Sequence, residues 1–214
     1  ATLACWRHLW IERRPLAMTA MLLLLDAKAP PVRARWAALL ATLATFLVSL
    51  GVASQFLSIN RAIEGTSPVH AQMEQKYTWL TIVPETADVP SITLQFHLGL
   101  DGISMAMVLL TTLLTVSAVL VSWTAISERS AEFYASMLIL ETGLIGVFCA
   151  FDLLLFYVFF EFTLIPLFFM VGIWGGRDRA YAAMKMTIYL TLGAMISLLG
   201  LIALYAQSGA NTFD

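Results

Sequence analysis

Two glutamates and a lysine stand where the chain is otherwise apolar: Glu141 in "LILETGLIG", Glu161 in "FYVFFEFTLIP" and Lys185 in "YAAMKMTIYL". An ionised side chain at the centre of a bilayer costs roughly 2.5 to 3.5 kcal/mol, so three in one short chain need a reason. The chemistry open to them is proton binding and release. Apolar surroundings favour the neutral carboxyl and a neighbouring ammonium favours the carboxylate, so a carboxyl balanced between the two exchanges its proton when a lysine shifts. Helical spacing puts Glu161 on one stripe with Leu154, Val158, Ile165 and Phe168, so its partner has to come from another helix or from water. The plainer reading is structural: the glutamates are protonated or paired and hold helices together through hydrogen bonds worth about 1 kcal/mol each. Lys185, two turns into its helix, is long enough to stretch to the interface.

The elements that must position these residues follow from composition. Of 214 residues, 60% are hydrophobic and only 12% charged, which marks a multi-spanning membrane protein. A span needs roughly 20 mainly apolar residues. Five segments qualify: 36 to 59, about 101 to 124, 133 to 151, 153 to 174 and about 180 to 206. The expected fold is an all-α, polytopic bundle of about five to six helices. Residues 1–35 form an atypical start in which Leu16 to Leu25 is a short or partial first helix, with a secretory signal ending near "AKAP" as a further reading. After the helix at 36–59, residues 60–97 carry Pro68, Pro84 and Pro90 and form a long polar loop of unreadable fold, and 98–214 supply four spans.

Basic residues cluster in one set of loops, at Lys28, Arg33 and Arg35, at Arg129, and at Arg177 and Arg179. The opposite set has Arg61 and Lys76. The positive-inside bias then puts the first set in the cytoplasm and 60–97 outside. The net charge of -2 offers no surplus for a nucleic-acid backbone. Cys5, Cys149, His8, His70 and His97 lack ligand spacing, and no glycine-rich phosphate loop occurs, so no metal or cofactor site is expected in this chain. Asp152, in the short joint between two spans, is expected to cap the helix that follows it, and His97 and Asp101 to be solvated or capping at a span edge. Gly143, Gly146 and Ala150, and likewise Gly193, Ser197 and Gly200, allow close helix approach. Pro166 can loosen the helix beside Glu161, and Trp36, Trp123 and Trp174 suit an interfacial belt.

Three stretches, "FHLGLDGISMAMVLLTTLLT" (96–115), "ETGLIGVFCAFDLLLFYVFFEFTLIPLFFMVGIWGG" (141–176) and "RAYAAMKMTIYLTLG" (179–193), resemble the antiporter-like membrane subunits of respiratory complex I, most closely the subunit M or chain 4 type. The resemblance covers about residues 33 to 214, weakly in the long loop. It implies the N-terminal half of an inverted-repeat fold of about fourteen helices. It also implies that Glu161 is the family's key glutamate on a proton path and that Lys185 is its sixth-helix lysine, with Asp101, Glu141 and Asp152 on family positions. Members pair the glutamate with a lysine on a broken seventh helix, which would follow "GANTFD".

The expected function is outward proton pumping by a membrane-arm subunit of an NADH:quinone oxidoreductase, in a bacterial inner membrane, through Glu161, Lys185 and Glu141. NADH, FMN, iron–sulfur clusters and quinone would belong to other subunits. Partners would be the L-, N- and K-like antiporter-type chains and the lipid bilayer. The alternatives are a sister subunit of a cation/proton antiporter or membrane-bound hydrogenase, or a scaffold without an ion path.

Overall fold

The computed structural model describes Thr19 and residues 31–62, 72–83 and 92–208. The elements run α1 (Pro31–Ala62), β1 (Gln72–Val83), β2 (Ile92–Leu100), α2 (Gly102–Ala125), α3 (Ser130–Cys149), α4 (Leu153–Trp174) and α5 (Arg179–Ser208). All five helices are long and apolar enough to cross a membrane. The chain is therefore an all-α, polytopic membrane bundle. The expected short helix at Leu16–Leu25, the charge at Lys28, and the residues Cys5, His8 and His70 lie outside the described residues, as do Pro68, Pro84 and Pro90.

Local chemistry sets the helix starts. Asp101 accepts from Ser104 N at 2.6 Å and caps α2. Asp152, 2% exposed, accepts from Leu154 N and Leu155 N at 2.8 and 3.0 Å and caps α4. Each carboxylate satisfies backbone donors that no intrahelical carbonyl reaches. α3 starts at Ser130, ahead of the expected 133, because its first turn has its own anchor: Glu132 pairs with Arg129, whose φ of 50° turns the chain into the helix. It ends at Cys149, where Ala150 becomes extended.

The region 60–97, unreadable in sequence, contains most of an antiparallel two-stranded sheet in which Tyr77 faces Phe96 and Thr81 faces Thr93. The base of this hairpin is fixed to the α3–α4 joint. Leu98 bridges to Ala150, Phe151 N donates to the His97 carbonyl at 3.0 Å, and the His97 and Phe151 rings stand 5.4 Å apart. His97 is consequently 5% exposed, which corrects the expectation of a solvated interfacial residue.

Neighbouring helices in sequence pack on one another, and α1 also reaches α3. α3 supplies much of the core, with Tyr134 and Leu138 fully buried beside Val119 of α2. Buried hydroxyls are satisfied within this core. Thr42 and Thr45 donate to carbonyls four residues back, and Ser49 meets Thr112 at 3.1 Å. The α3–α4 contact is built on glycine: a Cβ at Gly143 would lie 2.7 Å from Thr163 Cγ2, and one at Gly146 would lie 2.5 Å from Phe159 Cδ1. The glycines of α5 behave differently, because Gly193 and Gly200 have nothing within 4 Å of a built Cβ among the described residues. Among the described residues no close approach is made there, since the main contact of α5 is with α4 through its other side chains, such as Ala183 against Gly172.

One end of the bundle gathers the basic turns. Arg35 Nη2 donates to the Ile126 carbonyl at 2.9 Å, Trp174 Nε1 to Glu128 at 3.0 Å, and Arg179 Nη1 to Ile173 at 2.6 Å. Trp36 and Trp123 meet edge to face at 5.3 Å at the same end. The hairpin and the α3–α4 joint occupy the opposite end.

Candidate functional site

Glu161 stands about 12 Å into α4 from its capped start, by a rise of about 1.5 Å per residue. It lines a groove of ≈ 650 Å³ with Val158, Phe162, Ile165 and Phe168 of its own helix and Thr187 and Thr191 of α5. Three of these residues belong to the apolar stripe expected from helical spacing. The Oε1 atom of Glu161 is buried and has no hydrogen-bond partner among the described residues. Tyr157, one turn earlier, stands on the same face of α4 as the carboxylate. Pro166, one turn later, is buried inside α4 and removes the donor that would serve the Phe162 carbonyl.

Lys185 is not brought to Glu161. It is exposed, with Nζ 5.6 Å from the Tyr181 ring centroid and 6.0 Å from that of Tyr189, distances at which a cation is attracted to the ring face. No ion pair joins it to Glu161 among the described residues. Around the helix it is turned by ~200° from Thr187, which lines the groove. Along the axis it lies about 9 Å from the start of α5, whereas Glu161 lies about 20 Å from the Trp174 end of α4.

Glu141 is 1% exposed, and both of its carboxylate oxygens are buried. It lines a separate cavity of ≈ 250 Å³ with Thr111, Leu114 and Thr115 of α2, Leu144 of α3 and Met170 of α4. The two threonine hydroxyls there donate to carbonyls of their own helix at 2.8 Å. Glu141 therefore opens toward α2 and Glu161 toward α5. Sequence reasoning missed Tyr157, Thr187 and Thr191. The signal for Tyr157 was its spacing four residues before Glu161, which places the two side chains on one face. Among the described residues no group of three or more His, Cys, Asp or Glu could hold a metal ion.

Residues 150–214 match the family "NADH:quinone oxidoreductase/Mrp antiporter, TM". Over 200 residues the chain is 37% identical to "NADH-quinone oxidoreductase subunit M" of Rhodobacter capsulatus, covering 92% of this chain and 35% of that protein. The chain is similar to this antiporter-like membrane family over most of its own length. Another family member, "NADH-ubiquinone oxidoreductase chain 4" of Prototheca wickerhamii, is 38% identical over 173 residues, covering 80% of this chain and 33% of its own length. The chain thus spans about a third of the length of these relatives. A chain of respiratory complex I from Thermus thermophilus with bound NADH superposes with a TM-score of 0.67 at 26% identity, over 95% of this chain and 37% of that one. The antiporter-like fold expected from the three sequence stretches is therefore the fold observed.

Proposed function

We propose that this chain forms part of a proton-translocating membrane-arm subunit of an NADH:quinone oxidoreductase, with Glu161 as the group that takes up and releases the proton. The observation that carries the reading is the placement of Glu161: a carboxyl deep in a membrane-spanning helix, with one buried oxygen that has no hydrogen-bond partner among the described residues, opening into a groove between α4 and α5. Unpaired polarity at that depth is costly unless the group changes charge or gains a partner during a cycle. The likeness to subunit M and chain 4 proteins supports the assignment of the complex.

In this reading Lys185 tunes or relays charge from the basic end. Because it makes no direct contact with Glu161, transfer between them runs through water or a further side chain. Glu141, in its own cavity beside α2, is a weaker contributor next to the path. NADH, FMN, the iron–sulfur clusters and quinone belong to other subunits, and the partners are the L-, N- and K-like membrane chains. The basic end faces the cytoplasm of a bacterial inner membrane and the hairpin faces outward, in keeping with the positive-inside rule. A second reading, a subunit of a multi-subunit cation/proton antiporter, is favoured by the family description, which spans both kinds of complex.

The test is Glu161→Gln in the intact complex, reconstituted in vesicles. Proton pumping should be lost while the complex still assembles. Undiminished pumping by a fully assembled variant sinks the proposal, and NADH-independent proton movement that requires sodium selects the antiporter reading.

A further inference from the structure

The α4–α5 contact has a groove on each flank. The first, ≈ 650 Å³, holds Glu161 with Thr187 and Thr191. The second, ≈ 330 Å³, is lined by Phe156, Tyr157 and Phe160 of α4 and by Tyr189, Gly193 and Ser197 of α5. Glu161 lines the first and Tyr157 the second, yet the two side chains stand one helical turn apart on one face of α4. The second groove runs toward the hairpin end, since Ser197 lies about 27 Å along α5 from its start, beyond Thr191 at about 18 Å. A Cβ at Gly193 would meet nothing within 4 Å, so the floor of this groove is open.

We propose that Tyr157 positions the Glu161 carboxyl and is the hydroxyl through which that carboxyl communicates with the second groove. A phenol can serve both charge states of its neighbour, donating to the carboxylate and accepting from the carboxylic acid. Proton release then needs no change in the tyrosine: the acid gives its proton to the phenol oxygen as the phenol gives its own to water in the second groove. The products are a carboxylate, an unchanged phenol and a hydrated proton. The groove is large enough for water, whose share of liquid volume is about 30 Å³. Among the described residues no other charged side chain lines either groove. The titratable neighbours are Glu141, which opens toward α2, Lys185, which sits between Tyr181 and Tyr189, and Tyr189 itself.

The inference rests on Glu161 being the proton carrier, and the test separates the two. Tyr157→Phe, Phe160→Leu and Glu161→Gln are compared in the intact complex in vesicles. The protonated Glu161 carboxyl is followed by its infrared carbonyl band, assigned through its loss in Glu161→Gln, and pumping is measured on the assembled fraction. Tyr157→Phe keeps the ring and removes one oxygen. The carbonyl band should shift in frequency, because the carboxyl has lost its hydroxyl neighbour, and pumping should fall several-fold. Phe160→Leu, in the same groove without a hydroxyl, should leave the band in place. An unmoved band in Tyr157→Phe, or an equal shift in Phe160→Leu, overturns the role of Tyr157 while leaving Glu161 as carrier. Full pumping by Glu161→Gln overturns both.

Discussion

Glu141 and Glu161 lie at the same depth, each about 12 Å from the joint between α3 and α4, on antiparallel helices held together at Gly143 and Gly146. They nevertheless open in different directions, one toward α2 and one toward α5. Two carboxyls at one level but in separate cavities should act separately. Glu141→Gln is therefore expected to reduce pumping only a few-fold, against the near-complete loss in Glu161→Gln, and the double variant should match Glu161→Gln alone. Vesicle acidification measured on all three checks this. A Glu141→Gln loss equal to that of Glu161→Gln would place both on one obligatory path.

The α3–α4 contact should be intolerant of side chains. Gly146→Ala sets a methyl 2.5 Å from the Phe159 ring, and overpacking of this kind costs typically 1 to 3 kcal/mol. The expected result is reduced assembly on native gels, with partial recovery in Gly146→Ala/Phe159→Leu. Gly193→Ala and Gly200→Ala, with open space around them, should assemble normally.

The capping carboxylate of Asp152 should matter through its acceptor oxygen more than its charge. Asp152→Asn keeps an acceptor and should remain close to the parent in thermal stability, whereas Asp152→Ala should lose about 1 kcal/mol. Equal losses in the two would show that the charge itself is needed.

A covalent link can report the hairpin's attachment. Leu98 and Ala150 are antiparallel bridge partners, and such backbones are close enough for a disulfide. With Cys5 and Cys149 replaced by Ser, Leu98→Cys/Ala150→Cys should lose both maleimide-reactive thiols on mild oxidation. Thiols that stay reactive would mean that the strand leaves the joint.

How much of this was legible in the sequence depended on the range of the interaction. The α4 span was expected at 153–174 and observed there, because an apolar run ending in a capped joint is a local signal. The stripe of Val158, Ile165 and Phe168 beside Glu161 was equally local and lines the groove. The hairpin was not readable, since its pairing joins Gln72 to Leu100 across residues with no periodic pattern, and His97 is buried only because that strand returns to the joint. The relation between Glu161 and Lys185 was also hidden. It depends on the rotation of α5 against α4, which no pattern within either helix encodes. Small residues gave a mixed signal: a stripe of them marks a tight contact on α3 and an open groove wall on α5.

α4 is fastened at both ends. Asp152 and the hairpin base fix its start, and Trp174 ties its finish to the turn before α3 through the Glu128 carbonyl and the Phe133 ring. Between these anchors, Pro166 deletes one rung of the backbone ladder, at the carbonyl of Phe162, the residue after Glu161. A beam clamped at both ends and notched in the middle yields at the notch. A push delivered to either end of α4 therefore bends it most easily between Phe162 and Pro166, the turn that follows Glu161.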